Sequence, residues 1–336
     1  MKDTIVQRVD FASVLEDARG YASAGLEQVQ SLMESVAAEA PGKLSGYLQD
    51  LLTRKGKRVR STFLLLLAQT GNGFDLERTA RVCAAIELIH LGSLIHDDII
   101  DGSDLRRNEK TAHQRWGNRM ALLMGDYAMA KAMEMIWEES ETQIPLSLCR
   151  ASSRLIKAEV LEVEYSGRRD LKLEEYLEII EGKTAALLEA CGECGVILAG
   201  FSPEDSRLGA ALGRNFGIAF QIVDDLLDYG FGAGQLDKRM FSDIKNGFST
   251  LPLILYFENC NPTEREQMLS LLDKAQMEST QMEIHLLLHQ KDAFHKAHEM
   301  AVERVQAGLP FLASLPDSLA AQHLRQLCTL MTERTL

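Results

Sequence analysis

Asp97, Asp98 and Asp101 stand in the pattern D-D-x-x-D, and Asp224, Asp225 and Asp228 repeat it. Each stretch follows a long apolar run and is followed closely by glycine, Gly102 in the first case and Gly230 in the second. The run from Cys83 to Ile95 contains no Pro and is too long for a strand, which predicts a buried helix. On a helix Asp97 and Asp101 share a face, and Asp98 lies about 100° round from Asp97. Three carboxylates then crowd one turn at the C-terminal end, where the helix dipole is already negative. Like charges four residues apart repel by roughly a few tenths of a kcal/mol more. A chain that carries this arrangement twice calls for a compensating cation. Aspartate oxygens suit hard ions, and a few carboxylates combined with substrate phosphates suit Mg²⁺. Two solvated acidic helix ends are the plainer alternative, which the repetition after equally apolar runs disfavours.

Cations accompany both clusters. In Arg54-Lys55-Gly56-Lys57-Arg58-Val59-Arg60, five of seven residues are basic. This stretch is either a diphosphate grip or a solvated basic turn. Arg106 and Arg107 follow the first cluster, placed to pair with its carboxylates or to bind phosphate oxygens beside a metal. Lys238 and Lys245 follow the second, with Asp243 between them, and Gln221 lies one turn before Asp225. Lys183-Thr184 interrupts an apolar stretch that ends at Gly200, so Lys183 either snorkels or faces a polar cleft. Other candidates are weaker. Cys191 and Cys194 form a lone C-x-x-C within a helical pattern and read as core thiols. The pair His285/His289 has helical spacing but no obvious third ligand, and reads as exposed. Methionines from Met120 to Met135 recur at near-helical spacing and read as core, or as the wall of an apolar tunnel. No nucleophile elbow, Walker A or dinucleotide-binding glycine motif occurs.

These groups need a scaffold. The chain has 336 residues, 46% of them hydrophobic and 25% charged, with only seven Pro. Periodic apolar segments rich in Ala, Leu, Glu and Lys dominate, and alternating strand-like runs are absent. This predicts an all-α fold, a single domain of ten or more helices over residues 1–336, with residues 1–41 a peripheral helical segment. A net charge of −13 argues against nucleic acid or an anionic membrane as main partner. No run reaches the roughly 18 apolar residues of a membrane span, so stable membrane insertion is not expected. Six Cys without framework spacing predict reduced thiols in a cytoplasmic protein.

Together these stretches resemble the trans-isoprenyl diphosphate synthase (polyprenyl synthase) family. The likeness runs from about Gly42 to the end. Ile86-Glu87-Leu88-Ile89-His90 through Asp101 to Arg106-Arg107 is similar to its first aspartate-rich region. Phe220-Gln221 through Asp228 is similar to the second, and Gly56-Lys57-Arg58-Val59-Arg60 to its G-K-R-x-R segment. The resemblance implies an all-α isoprenoid-synthase-type bundle around a deep cavity, in a homodimer. It implies a Mg²⁺-dependent prenyltransferase that condenses isopentenyl diphosphate with an allylic diphosphate. Asp97, Asp101 and Asp224 would lead the metal ligands, with Asp98, Asp225 and Asp228 as ligands or supports. Arg106, Lys183 and Lys238 would hold the allylic diphosphate, with Thr184 and Gln221 nearby. Lys57, Arg60, His90 and Arg107 would hold isopentenyl diphosphate. A subunit of a heteromeric synthase and a class I terpene cyclase are the alternatives. The first commonly lacks one aspartate cluster. The second usually mixes Asn, Ser and Glu into its second motif.

The chain departs from the family pattern in three places. Asn108-Glu109-Lys110 replaces a common G-x-P, Asp237 stands where Gly usually precedes Lys238, and Phe248 where many members carry Lys. Gly92 and Ser93, five and four residues before Asp97, occupy the family's chain-length floor. Gly inside a helix costs about 1 kcal/mol relative to Ala. Small residues there predict an open floor and a product beyond geranylgeranyl, from hexaprenyl to decaprenyl, with geranylgeranyl or farnesyl diphosphate as the alternative. Tyr127, Met129 or Met133 would be the alternative caps.

Overall fold

The computed structural model describes residues 10–53, 56–232 and 240–333. Lys238 and Asp237 lie outside the described residues. Helices α1 (Phe11–Tyr21), α2 (Ser23–Glu39), α3 (Lys43–Leu52), α4 (Val59–Ala68) and α5 (Leu76–Ile100) come first. A small hairpin of β1 (Leu105–Arg106) and β2 (Glu109–Lys110) leads to α6 (Ala112–Trp116), α7 (Asn118–Trp137) and α8 (Gln143–Tyr165). Helix α9 (Leu173–Ile180) runs through a π-helical turn (Glu181–Ala185) into α10 (Ala186–Leu198), and α11 (Pro203–Asp228) follows. The remainder is α12 (Ser242–Lys245), α13 (Leu251–Asn259), α14 (Pro262–Leu272), α15 (Glu278–Gln290), α16 (Ala293–Ser314) and α17 (Leu319–Thr329). The all-α expectation holds.

Helix α10 lies at the centre, against α4, α5, α8 and α11, and α11 is backed by α16. The interior position explains the sequence. Phe63 to Leu67 on α4, and Val82 to Ile86 on α5, are almost fully buried, so these stretches are apolar on every side. Asp75 caps α5 by accepting from the Arg78 amide, and a Ser202/Asp205 capping box with Pro203 starts α11. At the other ends, Gly102 (φ +63°) and Gly230 (φ +79°) adopt the left-handed backbone beyond each acidic cluster, as helix termination favours. The glycine after each cluster therefore fixes where the carboxylates leave the helix.

One contact sets the two halves of the site against each other. Gly209, Gly213 and Gly217 recur every fourth residue on α11 and face α10. A Cβ on Gly213 would lie 2.0 Å from the Leu188 carbonyl oxygen, and one on Gly192 would lie 1.9 Å from that of Gly209. Only bare backbone allows this approach.

Two expectations are corrected. The described part of residues 1–41 is not peripheral: α2 packs on α5, and Val29, Met33 and Val36 are buried. His285 is half-buried, its Nδ1 lying 2.9 Å from the Tyr229 carbonyl oxygen, whereas His289 is exposed as expected. Cys191 and Cys194 are buried, unbridged thiols of α10, in line with the core reading. No helix among the described residues is long and apolar enough to cross a membrane.

Candidate active site

The two acidic clusters end α5 and α11 and meet at one cavity of about 740 Å³. Asp98 and Asp224 line it from the two helices. Its basic wall is Lys57, Arg58, Arg60, His90, Arg106 and Arg107, and its apolar wall includes Leu91, Leu94, Ile95, Leu188 and Phe220. Thr184 and Gln221 complete the lining near the π turn.

Within the first cluster, Arg106 spans two carboxylates. Its Nε donates to Asp98 Oδ1 and its Nη2 to Asp97 Oδ2, both at 2.7 Å. Of the two readings of Arg106, the structure has the ion pair. The hairpin explains how Arg106 returns to the aspartates. Arg107 (φ +54°) and Asn108 (φ +66°) are both left-handed, the two-residue arrangement that best matches hairpin twist. Asn108 is a residue type that tolerates this, which gives the departure from G-x-P a physical role. Asp101 closes α5 and is exposed.

Asp97 also faces Lys183 and two carboxylates that sequence reasoning missed, Glu159 and Glu162. The Lys183 ammonium lies 2.8 Å from Asp97 Oδ1 and 3.4 Å from Glu159 Oε2, and also pairs with Glu162. The carboxylates of Asp97, Glu159 and Glu162 converge, with oxygens within 4.8 Å of one another. Burial works against the Lys183 charge, but Glu162, Asp97 and Glu159 outweigh it and hold its pKa above the ordinary value. Burial pushes Glu159 up to about 7, with Asp97 and Glu162 adding to the shift and Lys183 opposing it. Lys183 thus faces a polar cleft and does not snorkel. Its place depends on the π turn, a distortion often found at functional sites. The Glu159/Glu162 pair, three apart on α8, was visible in the sequence but looked like any solvated helix face.

The second cluster divides its roles. Asp224 lines the cavity. Asp225 is buried and committed elsewhere: the Tyr176 hydroxyl donates to Oδ2 at 2.6 Å and Gln221 Nε2 to Oδ1 at 2.8 Å. Thr184 in turn donates to Gln221 Oε1 at 2.6 Å. Burial raises Asp225 to about 7 against these hydrogen bonds, with the nearby Asp224 and Asp228 carboxylates adding to the rise. Asp228 accepts from the Ser242 amide and hydroxyl and from the Asp243 amide, at 3.0, 2.5 and 3.2 Å, and so caps α12. Lys245 donates to the Met240 carbonyl at 2.8 Å.

The basic wall is assembled from three elements. His90, one turn before Leu94 on α5, is held well below its usual pKa by burial and by Arg60, Arg106, Arg107 and Arg58, and is therefore neutral. Arg60 is enclosed, and its Nε has no hydrogen-bond partner. Glu87, a single carboxylate inside the apolar run of α5, compensates this wall. A lone buried charge of that kind needs a partner, which was the signal available in the sequence.

Gly92 and Ser93 do not border the cavity. A Cβ on Gly92 would lie 2.9 Å from the Gly125 carbonyl oxygen of α7 and 2.9 Å from Met129 Cγ. Close helix packing explains this glycine, and the open-floor reading of it is corrected. The Ser93 hydroxyl donates to the His90 carbonyl at 2.8 Å.

Residues 41–287 match the polyprenyl synthetase family model. The chain is 32% identical to a short chain isoprenyl diphosphate synthase of Methanothermobacter thermautotrophicus, over 96% of this chain and 98% of that one. Its backbone is similar to a decaprenyl diphosphate synthase from Rhodobacter capsulatus, with a TM-score of 0.87, 26% identity, and 96% and 99% of the two chains covered. It is also similar to a polyprenyl synthase from Caulobacter crescentus complexed with calcium and isoprenyl diphosphate, with a TM-score of 0.84, 29% identity, and 96% and 98% covered.

Proposed function

The chain belongs to the polyprenyl synthetase family, and on that premise we propose that it condenses isopentenyl diphosphate with an allylic diphosphate, head to tail, in a Mg²⁺-dependent reaction. The observation that carries the reading is the cavity that joins carboxylates from two helix ends, a cationic wall and an apolar wall. The donor set suits a hard divalent ion, because the clustered ligand atoms are carboxylate oxygens, with Asp97, Glu159 and Glu162 converging. Asp97, Asp98, Asp101 and Asp224 would hold Mg²⁺, which when bound supplies positive charge to the leaving diphosphate. Asp225 and Asp228 act as supports, since the neutral donors Tyr176, Gln221 and the start of α12 hold their oxygens, whereas Asp97 and Asp98 are held by Arg106 and Lys183, cations that a bound diphosphate would draw off.

Arg106 and Lys183 bind the allylic diphosphate and stabilise the charge that builds on it as the carbon–oxygen bond breaks. Thr184 and Gln221 border that position. Lys238, expected as a third such cation, lies outside the described residues. Lys57, Arg60, Arg107 and the neutral His90 hold the diphosphate of isopentenyl diphosphate. Its double bond then attacks the allylic carbon, and the released proton passes to the departed diphosphate. Leu91, Leu94, Ile95, Leu188 and Phe220 exclude water from the allylic cation. A product beyond geranylgeranyl is proposed from the likeness to a decaprenyl diphosphate synthase, with geranylgeranyl or farnesyl diphosphate as the alternative in view of the short chain relative. Exposed apolar side chains on α7 and α8, namely Leu122, Leu123, Trp137, Ile156, Val160 and Val163, support a homodimer through this face.

The test is incubation of the purified chain with isopentenyl diphosphate, farnesyl diphosphate and Mg²⁺, followed by chain-length analysis. Hexaprenyl to decaprenyl products are expected, and Asp97→Asn or Asp224→Asn should abolish them. No elongation by the chain alone would overturn the reading in favour of a heteromeric subunit.

A further inference from the structure

Arg58 sits in the middle of the basic stretch but is used differently from its neighbours. Its backbone is left-handed (φ +52°), and it is the last residue before α4. Its carbonyl is fixed by the Thr62 amide at 2.9 Å and the Thr62 hydroxyl at 2.8 Å. Its guanidinium reaches across to two other helices. Nη1 donates to Glu87 Oε2 on α5 at 2.9 Å, and Nη2 donates to Gln30 Oε1 on α2 at 2.6 Å. The second Glu87 oxygen accepts from the Ser61 hydroxyl at 2.6 Å. Both charged side chains are largely enclosed, 16% exposed for Arg58 and 8% for Glu87.

This network ties the loop before α4 to the face of α5 that carries His90, three residues after Glu87. Lys57 and Arg60 flank Arg58 and line the cavity with His90 and Arg107. We propose that the Arg58–Glu87 ion pair, braced by Gln30 and Ser61, is a positioning device that sets Lys57 and Arg60 for the diphosphate of the homoallylic substrate. The inference rests on the reading above that Lys57 and Arg60 bind that diphosphate. The physical case is one of asymmetry. An enclosed, hydrogen-bonded ion pair that loses one partner leaves an uncompensated charge, and the backbone moves to relieve it. Here the backbone that would move carries the two binding cations on either side. It also gives the amino-terminal helix α2 a function, through Gln30, that its sequence did not announce.

The test is steady-state kinetics of Arg58→Lys, Arg58→Met and Glu87→Gln, each with Mg²⁺ and both substrates varied. We expect KM for isopentenyl diphosphate to rise about tenfold or more in Arg58→Met and Glu87→Gln, with KM for the allylic diphosphate changed less than about threefold. Arg58→Lys should lie between, since an ammonium can meet Glu87 but not Gln30 as well. The double variant Arg58→Met/Glu87→Gln should be no worse than either single one. Lys57→Ala and Arg60→Ala are the controls. If they leave KM for isopentenyl diphosphate unchanged, the binding assignment fails. If they raise it and Glu87→Gln does not, the positioning role fails while the assignment stands. A fall in thermal stability with both KM values moving equally shows a structural role only and also overturns the proposal. Glu87→Gln and Arg58→Lys keep the test decisive should Arg58→Met not fold.

Discussion

Gly92→Ala is the sharpest probe of the contact beneath the first acidic cluster. The new methyl carbon would lie 2.9 Å from the Gly125 carbonyl oxygen and 2.9 Å from Met129 Cγ, with Met129 Cε at 3.4 Å. Carbon–oxygen contacts settle at about 3.3 Å or beyond. Met129 has three rotatable bonds and can retreat. The Gly125 carbonyl belongs to α7 and cannot, so the α5–α7 spacing must open by a few tenths of an ångström. Overpacking of this kind costs about 1–3 kcal/mol. Replacing Gly by Ala inside a helix returns about 1 kcal/mol. The balance is a destabilisation of up to about 2 kcal/mol, read as a lower urea midpoint at unchanged slope. Products should keep their length, because the methyl fills a helix contact and not the cavity. A gain of about 1 kcal/mol, the full helix-propensity term, together with shorter products, would refute this reasoning and restore an open tunnel at Gly92. Gly92→Phe cannot make the distinction, since a ring at this contact disrupts the helix pair under either view.

Three further outcomes are expected. Gly213→Ala should cost well above the ordinary overpacking range of about 1–3 kcal/mol, because its Cβ would fall 2.0 Å from the Leu188 carbonyl and both partners are backbone; near-neutral unfolding data would contradict the α10–α11 seam. Glu159 and Asp225 are each raised to about 7, and a carboxyl raised above its unfolded value favours folding at low pH and loses that contribution as pH rises through the folded value. In EDTA the urea midpoint should therefore fall from the ordinary carboxylate range to about pH 7, Glu159→Gln should flatten the fall, and millimolar Mg²⁺ should offset it; a midpoint that climbs over this range would contradict the assignment. Burial raises the thiols of Cys83, Cys191, Cys194 and Cys328, so all four should resist alkylation at neutral pH until the chain unfolds, and rapid labelling of Cys191 or Cys194 in the folded protein would contradict the core reading.

The sequence by itself determined the class of protein and much of its chemistry. Apolar runs with helical spacing, too long for strands, required a helical core, because a helix satisfies its backbone groups within the segment that it buries. Two acidic turns at the ends of those runs, each trailed by cations, required positive charge to compensate them. These are local facts: composition, period and the sign of neighbouring charges are all contained within a few turns of chain.

Tertiary structure decided how those groups divide their work, because each outcome depends on partners far away in sequence. Asp225 looks like Asp224 in the sequence, yet Tyr176 and Gln221 claim both of its oxygens. Arg58 looks like Lys57 and Arg60, yet Glu87 and Gln30 turn it aside. Glu159 and Glu162 acquire their meaning only where α8 meets the π turn that presents Lys183. Gly92 by its type leaves a space, and α7 fills it. A residue's type and spacing fix what it is able to do, while the helix packed against it fixes which of those things it does.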